Sequence, residues 1–351
     1  MAEETIPKYT EISKLGEFGL IKHLTEKIEL LQPSSLKGVG DDAAIIAPPA
    51  QDEVLLLSTD MMAEGIHFEL TYTPLRHLGY KAVAVNVSDI CAMNGEPTQV
   101  VVSIAVSNQY SVESLEEIYK GIKYACKEFK VDLVGGDTTS SRSGLVIDVT
   151  ILGKAKKDRV VHRSNAKPGD LLCVSGDLGA AYAGLLLLER ARKNLGANPA
   201  QKPELQGYGY VLQKQLMPHP RVDVIEMFRT SGVIPTSMID ISDGLASEIH
   251  HICESSKVGC LLEELKIPIH EETTKVAQEN SVAPSLFALS GGEDYELLFT
   301  LNPADYKKLK EPAMVAVIGE ILPAEDGIMV AAKDGKMLPL RIQGWDGLKA
   351  K

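Results

Sequence analysis

Five short segments place aspartate beside Gly, Ser or Thr at the ends of apolar runs: Gly40-Asp41-Asp42-Ala43-Ala44, Ser58-Thr59-Asp60, Ser88-Asp89, Gly135-Gly136-Asp137-Thr138 and Asp240-Ile241-Ser242-Asp243-Gly244. A carboxylate in such a position points out of a rigid scaffold towards a cleft, and so many of them together need cations. Magnesium prefers oxygen ligands, takes one or two carboxylates per ion, and completes its shell with water and substrate phosphates. Several such ions bridging a nucleotide would account for the whole set. Taken singly, each segment reads equally well as a turn or a helix cap, where Asp and Gly are ordinary residues.

The elements that position these residues are visible in the hydrophobic pattern. Val54 to Leu57 has the length of a short strand, which puts Asp60 at its mouth. Leu78 to Met93 reads as a helix stopped by Asn94-Gly95, with Asn86 and Asp89 three apart on one face. Between Ser111 and Lys130, Leu115, Ile118, Tyr119, Ile122, Ala125, Cys126 and Phe129 recur at three- and four-residue spacing, the mark of an amphipathic helix. Val100–Val106, Val131–Val134, Leu145–Leu152 and Leu171–Val174 are the remaining strand candidates. A helix is expected from about Ala180 to Lys193, then a surface excursion over Asn194–Gly209, and Asp243-Gly244 opens a helix that buries Leu245, Ile249 and Ile252. The first half alternates strands and helices around one sheet. The basic, polar stretch Lys154 to Arg159 is the natural boundary, giving domains 1–153 and 154–351.

Bulk properties narrow the function classes. A chain of 351 residues suits two domains, and its 44% hydrophobic content is that of an ordinary soluble protein. The net charge of −12 disfavours nucleic acid and anionic membrane as partners, so phosphate binding has to be local. No apolar run approaches the roughly 20 residues of a membrane span, and the polar start Met1-Ala2-Glu3-Glu4 is unlike a signal peptide, so a cytoplasmic location is expected. Five cysteines without C-x-x-C spacing indicate neither a disulfide framework nor a zinc site.

Several familiar phosphate-binding and nucleophilic patterns are missing. There is no G-x-x-x-x-G-K-[ST] loop and no H-R-D or D-F-G set. Gly38-Val39-Gly40-Asp41-Asp42-Ala43 fits the loose dinucleotide pattern, but no strand is expected before it and its Asp pair would repel a bare pyrophosphate. Gly135-Gly136-Asp137 allows backbone amides to approach a phosphate while Asp137 takes a metal; it reads equally as a strand-to-loop turn. Gly291-Gly292-Glu293-Asp294-Tyr295-Glu296 is an acidic cluster before an apolar strand, either functional or simply an exposed loop. His67 fits an anionic substrate contact or a surface histidine equally well.

Taken in order, Gly16-Glu17-Phe18-Gly19, Gly40-Asp41-Asp42-Ala43, Ser58-Thr59-Asp60 with Gly65-Ile66-His67-Phe68, Asn86-Val87-Ser88-Asp89, Gly135-Gly136-Asp137, Asp240-Ile241-Ser242-Asp243-Gly244, Gly291-Gly292-Glu293-Asp294-Tyr295 and Gly344-Trp345 resemble the thiamine-monophosphate kinases. The match runs from about Gly16 to Trp345; the first fifteen or so residues and the Asn194–Gly209 excursion look like additions. The resemblance implies the two-domain α/β (α+β) fold of aminoimidazole-ribonucleotide synthetase-like proteins, and a homodimer joined through the amino-terminal sheets. It implies magnesium ligands at Asp42, Ser58, Thr59, Asp60, Asp89, Asp137, Asp240 and Asp243, with Asp60, Asp89 and Asp137 acting catalytically through the metal. ATP would be contacted by Tyr119, Gly136, Asp137, Arg163 and Ser242, and thiamine phosphate by His67, Glu293 and Trp345.

The implied reaction moves the γ-phosphoryl of ATP to thiamine monophosphate, the last step of thiamine diphosphate formation. The acceptor is a phosphate oxygen already anionic near neutral pH, which agrees with the missing general-base signature. Two other members of the superfamily are disfavoured. Selenophosphate synthetases carry a reactive Cys or Sec in an amino-terminal glycine-rich loop, whereas the first cysteine here is Cys91. The hydrogenase-maturation members end in Cys-Cys, and this chain ends Leu348-Lys349-Ala350-Lys351. A catalytically silent nucleotide-binding module is the alternative from another class, against which the intact ligand positions speak.

Overall fold

The computed structural model describes residues 9–40, 43–197 and 205–342, so two candidate site residues, Asp42 and Trp345, lie outside the described residues. The chain divides into two compact units: residues 1–51, 55–86 and 97–154 form the first, and residues 52–54, 87–96 and 155–351 form the second.

In the first unit, helix α1 (Gly16–Thr25) precedes the short pair β1 (Ser35–Lys37) and β2 (Ile45–Ile46), then β3 (Glu53–Ala63), α2 (Leu75–Ala92), β4 (Glu96–Val106), α3 (Val112–Phe129), β5 (Asp132–Ser140) and β6 (Leu145–Lys156). The last third of α2, from Val87, and the loop after it belong to the second unit. The strand order is β3-β6-β4-β5, with β4 and β5 parallel. Helix α3 forms where the period predicts it: Leu115, Ile118, Ile122, Ala125 and Phe129 are buried. The Ser111 hydroxyl caps it by accepting the Ser114 N–H at 3.2 Å, and Lys130, in the left-handed region at φ 55°, ends it. Along β6, buried Leu145, Ile147, Val149 and Ile151 alternate with more exposed neighbours, as the pleat requires.

Two strands run further than their apolar segments. β3 continues through Ser58-Thr59-Asp60, so Asp60 lies within the strand and not at its mouth. β5 continues through Gly135-Gly136-Asp137, where Val101, Val102 and Ser103 of β4 pair with Gly135, Gly136 and Asp137. Gly136 answers to that pairing, since a Cβ there would lie 2.1 Å from the Val102 carbonyl oxygen. The close approach is to a neighbouring strand. A short strand, β1, does precede the Gly38–Gly40 segment, but β2 follows it, so the helix of a dinucleotide site is missing there.

The second unit holds β7 (Leu171–Ser175), α4 (Ala180–Ala197), α5 (Gly209–Leu216), α6 (Val222–Ser231), β8 (Ser237–Asp240), α7 (Leu245–Ser256), β9 (Gly259–Glu263), α8 (Glu271–Glu279), α9 (Pro284–Ser290), β10 (Leu297–Leu301), α10 (Pro303–Tyr306), β11 (Val315–Leu322), β12 (Ile328–Ala331) and β13 (Met337–Pro339). Its sheet has the order β13-β12-β9-β11-β7-β10-β8 and is antiparallel except where β12 runs beside β9. Leu172, Val174, Leu298 and Ile239 share one core with Leu245, Ile249 and Ile252 of α7. Phe299, one residue out of phase, packs edge-on against Phe228 of α6 with ring centroids 5.1 Å apart. α4 extends through Asn194 to Ala197, so the excursion begins later than its composition implies.

All five cysteines are free and buried. No helix among the described residues is long and apolar enough to cross a membrane.

Candidate active site

In the first unit the pleat of β3 sorts the Ser58-Thr59-Asp60 triplet. Ser58 and Asp60 share the half-buried face with Leu56, while Thr59 falls on the opposite face with exposed Leu55, Leu57 and Met61. The Thr59 hydroxyl is engaged there, 3.2 Å from the Val149 carbonyl, 3.3 Å from Asp148 Oδ1 and 3.1 Å from Thr150 Oγ1. Only its backbone is left for the face of Ser58 and Asp60. On β5, Gly136 and Asp137 are exposed. Tyr119 is buried in the inner face of α3, and burial pushes its phenol up to about 12. His67 is exposed, and its Nδ1 accepts the Ala63 N–H at 3.1 Å. Its loop is anchored by Glu64, whose carboxylate accepts the Tyr110 hydroxyl at 2.7 Å and the Leu145 N–H at 2.8 Å. Asn86 is fully buried; its Nδ2 donates to the Ala82 carbonyl, and no partner meets its Oδ1 among the described residues.

In the second unit, Asp240 closes β8 and is 6% exposed. Its Oδ2 accepts the Ser88 hydroxyl of α2 at 2.8 Å. Burial first, and then the nearby charge of Asp89, push its carboxyl up to about 7, with Arg163 pulling the other way. A buried carboxylate opposed by a half-buried one forms an all-oxygen donor set that suits a divalent cation. Asp243 and Ser242 follow in the turn before α7. The Asp243 N–H donates to Glu248 Oε1 at 3.0 Å, and burial pushes the Glu248 carboxyl up to about 8. Gly244, at φ 119°, is the capping residue of α7, and no side chain caps that helix.

The acidic segment after Gly291-Gly292 is not an exposed loop. Asp294 and Glu296 are 2% and 1% exposed. A Cβ on Gly292 would lie 2.2 Å from the Ser242 carbonyl oxygen, and the Glu293 and Tyr295 N–H groups donate to Ser242 and Ile241 at 2.8 and 2.9 Å. This backbone is therefore laid directly on the turn that carries Ser242 and Asp243. Asp294 receives the Gly179 and Ala181 N–H groups at the start of α4, where the helix end favours a negative charge. Glu296 is bound by Lys214 at 2.7 Å, Arg221 at 2.6 Å and the Ser175 hydroxyl at 2.6 Å. Glu293 accepts the Gln215 amide at 2.8 Å.

Glu64, Glu248, Lys214, Gln215 and Arg221 escape a reading of the sequence, and so does the bond from Ser88 to Asp240, because each acts on a partner that only folding brings near. Ser88 alone stands beside a candidate. Among the described residues, no three His, Cys, Asp or Glu side chains converge closely enough to hold a metal by themselves.

A family model described as AIR synthase related protein, N-terminal domain, matches residues 40–155. The fold is accordingly that of the AIR synthase related class. Thiamine-monophosphate kinase from Bacillus subtilis (strain 168) is 37% identical over 300 residues, covering 85% of this chain and 87% of that protein. The crystal structure of thiamine-monophosphate kinase from Stenotrophomonas maltophilia K279a superposes with a TM-score of 0.75 at 29% identity, covering 90% of this chain and 95% of that one. AaThiL, solved in complex with AMPPCP and TMP, gives 0.73 at 31% identity, covering 98% and 99%. The chain belongs to the thiamine-monophosphate kinase family and is an enzyme, a kinase.

Proposed function

We propose that this enzyme transfers the γ-phosphoryl group of ATP to thiamine monophosphate in one direct, in-line step that depends on magnesium. The observation that carries the reading is the near-complete coverage shared with AaThiL, a protein solved with AMPPCP and TMP together. The ligand residues would be Asp42, Ser58, the backbone of Thr59, Asp60, Asp89, Asp137, Asp240 and Asp243. Bound magnesium would screen the repulsion between two anionic phosphates and hold them in line. The charge of half-buried Asp89 beside buried Asp240 supports this, since the two supply oxygen ligands whose mutual repulsion a cation relieves.

The protein's own part is positioning. Gly136, Arg163, Ser242 and Tyr119 would bind ATP. Tyr119 is buried, so a contact from it would use only the small part of its side chain that stays accessible. His67, Glu293 and Trp345 would hold thiamine monophosphate, with Glu293 facing the cationic thiazolium. No group needs to act as a strong base, because the attacking oxygen is already anionic.

The test is an assay for thiamine diphosphate with ATP and thiamine monophosphate. Turnover should stop on chelation and return with added magnesium. ATP hydrolysis with no phosphorylated thiamine product would leave a nucleotide-binding protein of another function.

We further propose a homodimer joined through the first unit's sheets. Support comes from β3, an outer strand whose Leu55, Leu57 and Met61 are exposed, Leu57 at 69%, since an apolar edge calls for cover. Leu57→Lys should shift the sedimentation of the micromolar protein from dimer towards monomer. An unchanged dimer would move the interface elsewhere. The free, buried cysteines support a reducing, cytoplasmic setting.

A further inference from the structure

Helix α5 is held on several sides. Its first N–H groups, from Tyr210 and Val211, donate to the Glu272 carboxylate at 2.9 and 3.3 Å. The Tyr210 hydroxyl donates to Asp177, and Lys214 reaches Glu296 at 2.7 Å. Against α4 the backbones nearly touch, since a Cβ on Gly184 would lie 2.2 Å from the Val211 carbonyl oxygen. A residue further along, Gln215 is 5% exposed, and its Nε2 donates to Glu293 Oε2 at 2.8 Å.

Glu293 is pinned as firmly from its own side. Its φ of 69° lies in the left-handed region, its N–H is taken by the Ser242 carbonyl, and its neighbours Asp294 and Glu296 are locked into α4 and the Lys214–Arg221 pair. With the main chain fixed, the aim of the carboxylate is a matter of side-chain torsions, and a rigidly mounted amide settles those. An amide donor also adds no charge. A lysine at this position would form an ion pair and weaken attraction for a cationic ligand.

We infer that Gln215 is a positioning residue that aims the Glu293 carboxylate and thereby sets recognition of the cationic part of the acceptor substrate. The inference rests on the function proposed above. It makes α5 a specificity element in which adjacent residues do different work: Lys214 neutralises Glu296, and Gln215 orients Glu293 without neutralising it.

The experiment compares wild type, Gln215→Leu, Gln215→Lys, Glu293→Gln and the Gln215→Leu/Glu293→Gln double variant, measuring kcat, both KM values and the thermal midpoint. Gln215→Leu should raise the KM for thiamine monophosphate roughly tenfold, as loss of a hydrogen bond to a charged group would. The KM for ATP should stay within about twofold. Gln215→Lys should raise the first KM at least as much without lowering the thermal midpoint. The double variant should be no worse than Glu293→Gln, because the two residues act as one. A wild-type enzyme that forms thiamine diphosphate beside a Gln215→Leu variant with unchanged KM overturns this inference alone. Equal rises in both KM values with a lower midpoint also overturn it, assigning Gln215 to packing. A wild type with no thiamine-dependent turnover overturns the proposed function and this inference with it.

Discussion

Replacing Asp89 by Asn is expected to lower kcat by about three orders of magnitude, the loss of roughly 4 kcal/mol of charge stabilisation from a metal-held transition state. The amide keeps the volume of the carboxylate and removes its charge. In the ligand-free protein that charge opposes buried Asp240, so the substitution relieves a repulsion and the thermal midpoint should not fall. Loss of activity together with an unchanged or raised midpoint therefore separates a ligand from a structural carboxylate. Asp60→Asn should lose activity to a similar extent, Asp60 sharing the inner face of β3 with Ser58. Near-normal turnover by either variant at limiting magnesium would remove that residue from the ligand set.

The second large effect concerns stability. Glu296→Gln is expected to lower the thermal midpoint by roughly 10 °C, because removing one partner of a buried ion pair costs about 3–5 kcal/mol and each kcal/mol is worth a few degrees. Glu296 is 1% exposed and holds both Lys214 and Arg221. Burial alone would raise its pKa; the charges of Lys214 and Arg221 and the bonds from Lys214 and Ser175 outweigh it and hold the carboxyl below its ordinary value. A carboxyl depressed in this way stabilises the fold at pH above its unfolded-state value of about 4.3 and loses that contribution as pH falls through the lower, folded-state value. The stability gap between wild type and Glu296→Gln should accordingly be full at neutral pH and shrink on acidification. Denaturant unfolding across that range checks it, and a gap that stays constant into strong acid would mean the ion pairs are not its source.

These two predictions differ in how far they were visible before folding. Asp60 and Asp89 stand out in the sequence, because a carboxylate next to Ser or Thr beside an apolar run has few other reasons to recur. Asp294 and Glu296 stand out as well, but their environment does not. An acidic run after Gly-Gly looks solvent-exposed until Lys214 and Arg221, 82 and 75 residues earlier, are brought against Glu296. Whether a carboxylate is a surface group or a buried anchor depends on its partner, and partner choice is tertiary.

Elements whose causes are local are legible in the chain before it folds. Helix α3 follows from the spacing of Leu115, Ile118, Ile122 and Phe129 and from the Ser111 cap, and β6 follows from its alternation. The ordered glycine-aspartate motifs determined the family. Tertiary structure alone decided where strands end and which way their side chains face. β3 and β5 run on through polar residues because neighbouring strands supply hydrogen bonds that hydrophobicity cannot foretell. The pleat then sends Thr59 away from Ser58 and Asp60, close contact with Val102 demands glycine at position 136, and α5 delivers Gln215 to Glu293 from 78 residues away. Each of these outcomes depends on which backbone lies next to which, and that is established only when the sheets and helices have packed.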